Sequence, residues 1–300
     1  MPEQNADKSF VGPQDYSSVY IVLPAKNESA AIALLIERIR KLLPAVNIIV
    51  VDDGSTDNTA TLAQQAGAKL AHHPSSLGNG AAIKTGARTA KGDILIFMDA
   101  DGQHKPEDIP RLLEKLSEGY DMVVGARDFS SQANLGRGIA NVLYNRFASL
   151  MTGHKISDLT SGFRAVRADK FRQFLYLLPN GFSYPSTITM AFFRAGYPVA
   201  YVPIKAAIRE GKSHIRPLRD GMRFLLIIFK VATLYSPLKI FVPTSAFFFC
   251  LGLSYYLYSY ITMGRFTNMS ALLFSASAII FLIGLVSEQI TALNYKDSEH

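Results

Sequence analysis

Asp99 and Asp101 stand one residue apart in Phe97-Met98-Asp99-Ala100-Asp101-Gly102-Gln103-His104, directly after an apolar run. Carboxylates so close repel, and one is pushed toward its neutral form unless a cation lies between them. A turn at the end of a strand can direct both toward one point, where a hard divalent ion takes oxygen ligands. Alone, an Asp-X-Asp occurs by chance in many solvated loops. Two further acidic segments share its setting: Val50-Val51-Asp52-Asp53-Gly54-Ser55 and Pro24-Ala25-Lys26-Asn27-Glu28 each close an apolar run. His104 is a weaker ligand, since Mg2+ prefers oxygen, and reads equally as polar loop.

Alternating elements must position these groups. From Val19 to about Ala126, apolar runs (VYIVLPA, NIIVVDD, AKLAHH, DILIFMD, DMVVGA) read as buried strands. Between them Ala30 to Leu43, Asp57 to Ala66, Gly80 to Ala90 and Pro106 to Glu118 carry helical periodicity. The pattern predicts an α/β fold, a mainly parallel sheet with helices on both faces. Ligands of such sheets bind beyond the carboxyl ends of the strands, where the acidic motifs fall. Arg127 to Pro203 reads as less regular and is expected to complete the pocket.

In this order, all at strand ends, the three motifs resemble family 2 of the inverting nucleotide-sugar glycosyltransferases, which have the GT-A fold. The resemblance implies that Asp99 and Asp101, with Gln103 as a further oxygen ligand, hold Mg2+ or Mn2+ on the diphosphate of a UDP- or GDP-sugar. Ala100 lies with them along the donor, as do Pro24, Ala25, Asn27 and Glu28. Asp52 or Asp53 accepts hydrogen bonds from the base or ribose in that reading. A nucleoside diphosphate gains negative charge as the sugar departs, and a hard cation neutralises it. Leu77-Gly78-Asn79-Gly80, followed by Lys84 and Arg88, is a glycine-containing helix entry whose amides can approach phosphate, and Lys84 is placed with the donor on that ground. Helix capping is an equally good reading of the segment. It is neither a Walker A motif nor a dinucleotide fingerprint.

A second cluster concerns the acceptor. Gly125-Ala126-Arg127, Arg137, Asp158-Leu159-Thr160-Ser161-Gly162-Phe163-Arg164 and Arg209-Glu210-Gly211-Lys212-Ser213 resemble the dolichyl- and polyprenyl-phosphate branch of the family. The resemblance implies that Arg127, Arg137, Arg209, Lys212 and Ser213 hold the lipid phosphate, as guanidinium forks and an ammonium suit its oxygens. It also sets Asp158 beside the reacting centre with Asp101, either as a base or as the orienting partner of Arg164 or another basic residue. Relatives acting on hydroxyls carry a Glu-Asp pair near the third quarter of the chain. Here Phe182-Ser183-Tyr184-Pro185-Ser186-Thr187 stands there, with no carboxylate from 170 to 207. A hydroxyl nucleophile needs a base, whereas a phosphate monoester with a second pKa near 6 is already largely ionised at neutral pH. The absence of Trp also excludes the Gln-X-X-Arg-Trp motif of processive polysaccharide synthases.

Ile240 to Ile261 and Met269 to Ser287 contain no charged residue. At 1.5 Å per residue each reaches roughly 30 Å, a bilayer core, so a two-helix hairpin is expected. Arg209, Lys212, Arg216, Arg219, Arg223, Lys230 and Lys239 precede the first run, against Arg265 alone in the connection; this bias places the catalytic domain and both termini in the cytoplasm. The polar start, Met1 to Ser18, has no apolar stretch of a signal peptide. Arg216 to Tyr235 reads as an amphipathic helix, either lying on the membrane with Phe224, Leu225, Ile228 and Phe229 in the apolar boundary or packed on the catalytic domain. The expected organisation is a polar tail (1–18), a GT-A domain (19–213), the interfacial helix (214–236), the hairpin (237–293) and a short tail (294–300).

The net charge of +7 calls for an anionic partner. Its positive residues gather beside the apolar runs and not among aromatic residues, which favours lipid bilayer and phosphate over nucleic acid. Cys250 is the only cysteine, so no internal disulfide forms. The rival readings are transfer to a glycolipid or polysaccharide hydroxyl, against which the missing base counts, and a non-catalytic membrane scaffold, against which Asp99 and Asp101 count. A homo-oligomer is compatible with all three.

Overall fold

The computed structural model describes residues 16–127, 135–181, 183–205, 229, 233 and 235–296. Seven strands form one sheet: β1 Val19–Ala25, β2 Asn47–Asp52, β3 Lys69–His72, β4 Ile94–Phe97, β5 Met122–Arg127, β6 Arg164–Arg167 and β7 Val199–Ile204. Their order is β3-β2-β1-β4-β6-β5-β7. Parallel pairing joins β1 to β2 and β4, β2 to β3, and β5 to β7, while β6 runs antiparallel between β4 and β5. The expected mainly parallel sheet is present, with one reversed strand inserted. The segment read as irregular supplies β6 and β7.

Helices α1 Ile32–Leu42, α2 Thr59–Gln65, α3 Asn79–Thr89, α4 Ile109–Ser117, α5 Leu135–Thr152, α6 Ala168–Arg172 and α7 Tyr184–Arg194 connect the strands. The spacing of Ile32, Leu35, Ile36 and Ile39 puts them on one stripe of α1, and all four are buried. They join Leu112 and Leu116 of α4 in one cluster with Ile21, Leu23, Val50, Ile96 and Val123 of the sheet. Burying each such side chain contributes about 1.5–3 kcal/mol. Val22 alternates with Ile21 and Leu23 and so points to the opposite face. There α3 approaches until a Cβ on Gly86 would lie 2.2 Å from Val22 Cγ1.

The chain divides into two compact units, Met1–Asn145 with Ile156–His214, and Arg146–Lys155 with Ile215–His300. The sheet belongs to the first. The second contains two long apolar helices, α8 Leu238–Met263 and α9 Asn268–Lys296. Gly264, with φ 64°, ends α8 in the left-handed conformation. Small residues recur every seven positions on both helices: Ser245, Gly252 and Ser259 on α8; Ser270, Ser277, Gly284 and Thr291 on α9. All are buried. A seven-residue repeat keeps one seam facing the partner helix, and small side chains let backbones close up. Ser245 Oγ accordingly donates to Ser277 O (2.9 Å), and Ser277 Oγ to Ser245 O (2.9 Å). A Cβ on Gly284 would come within 2.5 Å of Phe241 Cβ. Phe247, Leu251, Tyr258, Ile261, Leu272 and Ile279 are exposed on the other faces, as lipid-facing residues would be.

At its base, Lys239 Nζ donates to Met151 O (2.6 Å), Tyr235 Oη to Thr152 O (3.2 Å), and Leu238 N–H to Glu288 Oε2 (3.3 Å). Of the expected interfacial helix, Phe229 is helical and half exposed. Phe224, Leu225 and Ile228 lie outside the described residues.

Candidate active site

The strand order sets the carboxyl ends of β1 and β2 beside each other, with Ala25 opposite Asp52. Pro24 is half-buried and Ala25 buried, and Ala25 O accepts from Asp53 N–H at 2.9 Å. Asn27 holds a left-handed φ of 56°, which Asn tolerates better than most residues. Its amide donates to Ser55 Oγ (2.9 Å) and its Oδ1 accepts from Thr56 N–H (2.8 Å), while Glu28 N–H donates to Thr59 Oγ1 (2.8 Å). The loops after β1 and β2 are thereby stitched into one floor.

Asp52 and Asp53, alternatives in the sequence, have different environments. Asp52 Oδ2 pairs with His72 Nδ1 at 2.9 Å and its Oδ1 accepts from Ser55 N–H at 3.2 Å. Asp53 is occupied more fully. His73 Nδ1 (2.8 Å), Ser76 Oγ (2.7 Å), Leu77 N–H (2.8 Å) and Gly78 N–H (2.9 Å) all bond to its carboxylate. Burial pushes the Asp53 carboxyl up, but His73, Leu77, Ser76 and Gly78 together hold it down at about 2. Asp53 therefore builds the loop entering α3.

That loop gives Gly78-Asn79-Gly80 a packing role that neither reading of the segment anticipates. Ala81 N–H, in the first turn of α3, donates to Asn180 O at 3.1 Å. A Cβ on Gly78 would lie 2.5 Å from Asn180 O, and one on Gly80 would lie 2.1 Å from Pro179 O. The glycines admit another stretch of backbone. Lys84 takes part: its Nζ donates to Leu178 O (3.1 Å) and Asn180 Oδ1 (2.5 Å). The ammonium expected at the donor phosphate is thus engaged by a chain segment more than ninety positions away in sequence.

Asp99 follows β4. Its Oδ1 faces Asn79 Nδ2 at 3.5 Å and its Oδ2 faces His104 Nε2 at 3.8 Å, with 34% of the side chain exposed. Burial pushes the Asp99 carboxyl up, and His104, Asn79 and Arg127 outweigh it, holding the group below the ordinary range. Asp101 Oδ1 accepts from Gln103 N–H at 3.1 Å. Ala100 is buried, while Asp101 and Gln103 are partly exposed. Asp99, Asp101 and Gln103 offer oxygen donors, as a hard divalent ion requires. Among the described residues no three His, Cys, Asp or Glu side chains cluster as an ion site. His104, read as polar loop, is instead buried and stacked on Phe163 with centroids 5.1 Å apart.

Asp158 and Arg127 form a second cluster. Arg127 Nε donates to Asp158 Oδ2 (2.8 Å) and Nη2 to Oδ1 (3.1 Å), a two-pronged pair, and Nη2 also reaches Thr160 Oγ1 (2.7 Å). The amides of Arg127 (3.2 Å), Thr160 (3.0 Å) and Ser161 (3.1 Å) and the Thr160 hydroxyl (3.1 Å) complete the shell. Burial raises the Asp158 carboxyl; Arg127 and the amides hold it below the usual range. The partner of Asp158 is Arg127 and not Arg164, one of the two candidates left open. Arg164 is fully buried. Its guanidinium bonds to Ser161 O, to Pro185 O (3.1 Å) and to Thr189 Oγ1 (3.2 Å), so it joins β6 to α7. Arg137 falls in α5 with its side chain outside the described residues, where Arg209, Lys212 and Ser213 also lie.

Sequence reasoning passed over Asn79, Gly162 and Tyr184. A Cβ on Gly162 would meet Asp99 Oδ2 at 2.9 Å, and Tyr184 Oη donates to Gly162 O at 3.3 Å. All three fall within motifs of the sequence, but nothing local signals what they touch.

Residues 20–175 match glycosyl transferase family 2 and residues 236–293 match the GtrB C-terminal hairpin. Polyprenol monophosphomannose synthase of Mycolicibacterium smegmatis is 29% identical, over 77% of this chain and 91% of that protein. Undecaprenyl-phosphate mannosyltransferase of Micrococcus luteus is 31% identical, over 64% of this chain and 84% of its own. Among solved structures, glucosyl-3-phosphoglycerate synthase from Mycobacterium tuberculosis, in complex with Mn2+, uridine-diphosphate and phosphoglyceric acid, is 25% identical with a TM-score of 0.56, covering 71% of this chain and 78% of that one. Apolar length and composition make α8 and α9 candidate spans, and with the hairpin match they mark a membrane protein. By its match over residues 20–175 the chain belongs to glycosyl transferase family 2, and its hairpin and its relatives group it there with the polyprenyl-phosphate transferases.

Proposed function

We propose that this chain transfers a sugar from a UDP- or GDP-sugar to polyprenyl phosphate, with inversion, at the cytoplasmic face of the membrane. The observation that carries the reading is the state of Asp158. Its oxygens are filled by Arg127, Thr160 and Ser161, so the best-placed acid is poorly suited to take a proton. An acceptor that arrives ionised needs no base. The names of the mannose-transferring relatives and the GtrB hairpin support the same acceptor.

An oxygen of the lipid phosphate attacks the anomeric carbon. The bond from that carbon to the diphosphate oxygen breaks, and its electron pair leaves with the nucleoside diphosphate. Arg127 keeps Nε and Nη2 on Asp158 and Thr160, which fixes the guanidinium plane, and in this reading Nη1 serves the acceptor phosphate. Arg137, Arg209, Lys212 and Ser213 complete that phosphate site in this reading, and Asp101 stands nearest the departing diphosphate. Asp99, Asp101 and Gln103 would hold Mg2+ or Mn2+, which supplies charge neutralisation for the leaving group; the Mn2+ in the synthase complex supports this assignment. Pro24, Ala25, Asn27, Glu28 and Asp52 line the donor floor. The basic flank before α8 supports the cytoplasmic placement of the catalytic domain and both termini.

The test is transfer by the purified full-length chain from a panel of UDP- and GDP-sugars, comparing undecaprenyl phosphate with undecaprenol. Product on the phosphate alone is expected. Equal or better transfer to the alcohol would overturn the reading.

A further inference from the structure

Asp99 is positioned by residues far from it in sequence. Asn79 Nδ2 reaches its Oδ1 at 3.5 Å, and Gly162 packs against its Oδ2. Asn79 is the first residue of α3, so the placement of that helix end decides where the amide points. Five contacts fix the end on Leu178–Gly181: Ala81 N–H to Asn180 O, the close approaches of Gly78 and of Gly80 to the Pro179–Asn180 backbone, and the two bonds from Lys84 Nζ to Leu178 O and Asn180 Oδ1. Three residues beyond Gly181, Tyr184 donates to Gly162 O. The contacts close a ring: Asp99, Asn79, α3, Leu178–Gly181, Tyr184, Gly162 and back to Asp99.

Within the donor-site reading above, we propose that Lys84 is a positioning residue, which fastens Leu178–Gly181 to α3 and through Asn79 sets the Asp99 carboxylate for the divalent ion, without touching the diphosphate. The chemistry suits this role. An ammonium has three donors, and two are spent on neutral oxygens of a single segment. Outer residues that orient metal ligands typically change metal affinity by about 10–100-fold when removed, so an effect at one remove falls at the low end.

The experiment measures two affinities on the full-length protein in detergent. One is Mn2+ binding, by electron paramagnetic resonance with UDP and, in parallel, GDP present. The other is binding of the same diphosphates in EDTA, by calorimetry. Lys84→Met should weaken Mn2+ binding by about tenfold and leave the metal-free diphosphate affinity unchanged, which also shows that the variant is folded. Asn79→Ala should do the same, and the double variant should lose no more than either alone, because both act through one contact. Asn180→Ala removes one acceptor of Lys84 and gives a smaller loss in the same assay, should Lys84→Met fold poorly. Loss of diphosphate affinity in EDTA by Lys84→Met, or additive losses in the double variant, would make Lys84 a direct phosphate contact and overturn the proposal. Unchanged Mn2+ affinity in all three variants would overturn it while leaving the donor site in place. Absence of Mn2+ binding by the unaltered protein would instead overturn the donor-site reading, and this proposal with it.

Discussion

Asp158, bonded to Arg127 at the end of β5, and Asp99, at the end of β4, meet opposite treatment from the fold. Asp158 receives the Arg127 guanidinium twice and the amides of Arg127, Thr160 and Ser161, with 4% of its side chain exposed. Asp99 receives one long bond from Asn79 and faces His104 at 3.8 Å, with 34% of its side chain exposed. An acid whose lone pairs are filled is part of the framework. An acid held by one long hydrogen bond is suited to a charge that arrives with the substrate. Asp53 belongs with Asp158, since its donors come from the loop it builds. Sequence motifs mark all of these acids alike; hydrogen-bond saturation is what sets Asp158 and Asp53 apart from Asp99.

The sharpest way to break the comparison is to remove charge from Asp99 and from its motif neighbour Asp101. Asp99→Asn and Asp101→Asn should each reduce metal-dependent transfer by on the order of 10³-fold, with thermal unfolding unchanged for Asp99→Asn, because its side chain supports so little. Near-native turnover at ordinary Mn2+ concentration would remove the ion assignment. On the saturated side the effects should fall on stability. Arg127→Met strands a buried carboxylate among amides and should cost on the order of 3 kcal/mol in denaturant unfolding; an unshifted midpoint would show that the pair is not structural.

Asp53 adds a pH dependence of known sign. Its folded pKa of about 2 lies below its ordinary 3.8, so its stabilisation is present above about pH 4 and lost as pH falls through 2, on the order of 2 kcal/mol in all. Asp53→Asn should flatten acid unfolding between pH 4 and 2, and a parallel curve would contradict this. The hairpin gives the smallest effect. Gly284→Val inserts atoms against Phe241 and should cost about 1–3 kcal/mol of helix pairing. It should lower transfer to membrane-embedded undecaprenyl phosphate more than to a short, detergent-dispersed isoprenyl phosphate. Equal losses on both would show that the hairpin does not serve acceptor delivery.

The legible part of the fold was the part built from continuous patterns. VYIVLPA reads as a buried strand because parallel strands covered on both faces are apolar throughout, and β1 spans those seven residues. The apolar helices were legible for the same reason. β6 was not, because Arg164-Ala165-Val166-Arg167 carries a guanidinium into the interior, and no local rule predicts a charge there. The motif acids stand out in the sequence, but how differently the fold bonds them does not. Lys84 bonds to Leu178 and Asn180 across 94 and 96 positions, and the glycines beside it are small for the sake of that same segment. A local reading assigns such residues to the nearest ligand, whereas here their partner is backbone that the fold brings back.

The most direct measurement of the central claim is the split of kcat and acceptor KM for Asp158→Asn, followed from pH 6 to 9 with undecaprenyl phosphate. Asp158 as the holder of Arg127 predicts an acceptor KM raised more than kcat is lowered, with no recovery at high pH. A collapse of kcat at unchanged acceptor binding, restored as pH rises, would make Asp158 the base and contradict an acceptor that arrives already ionised.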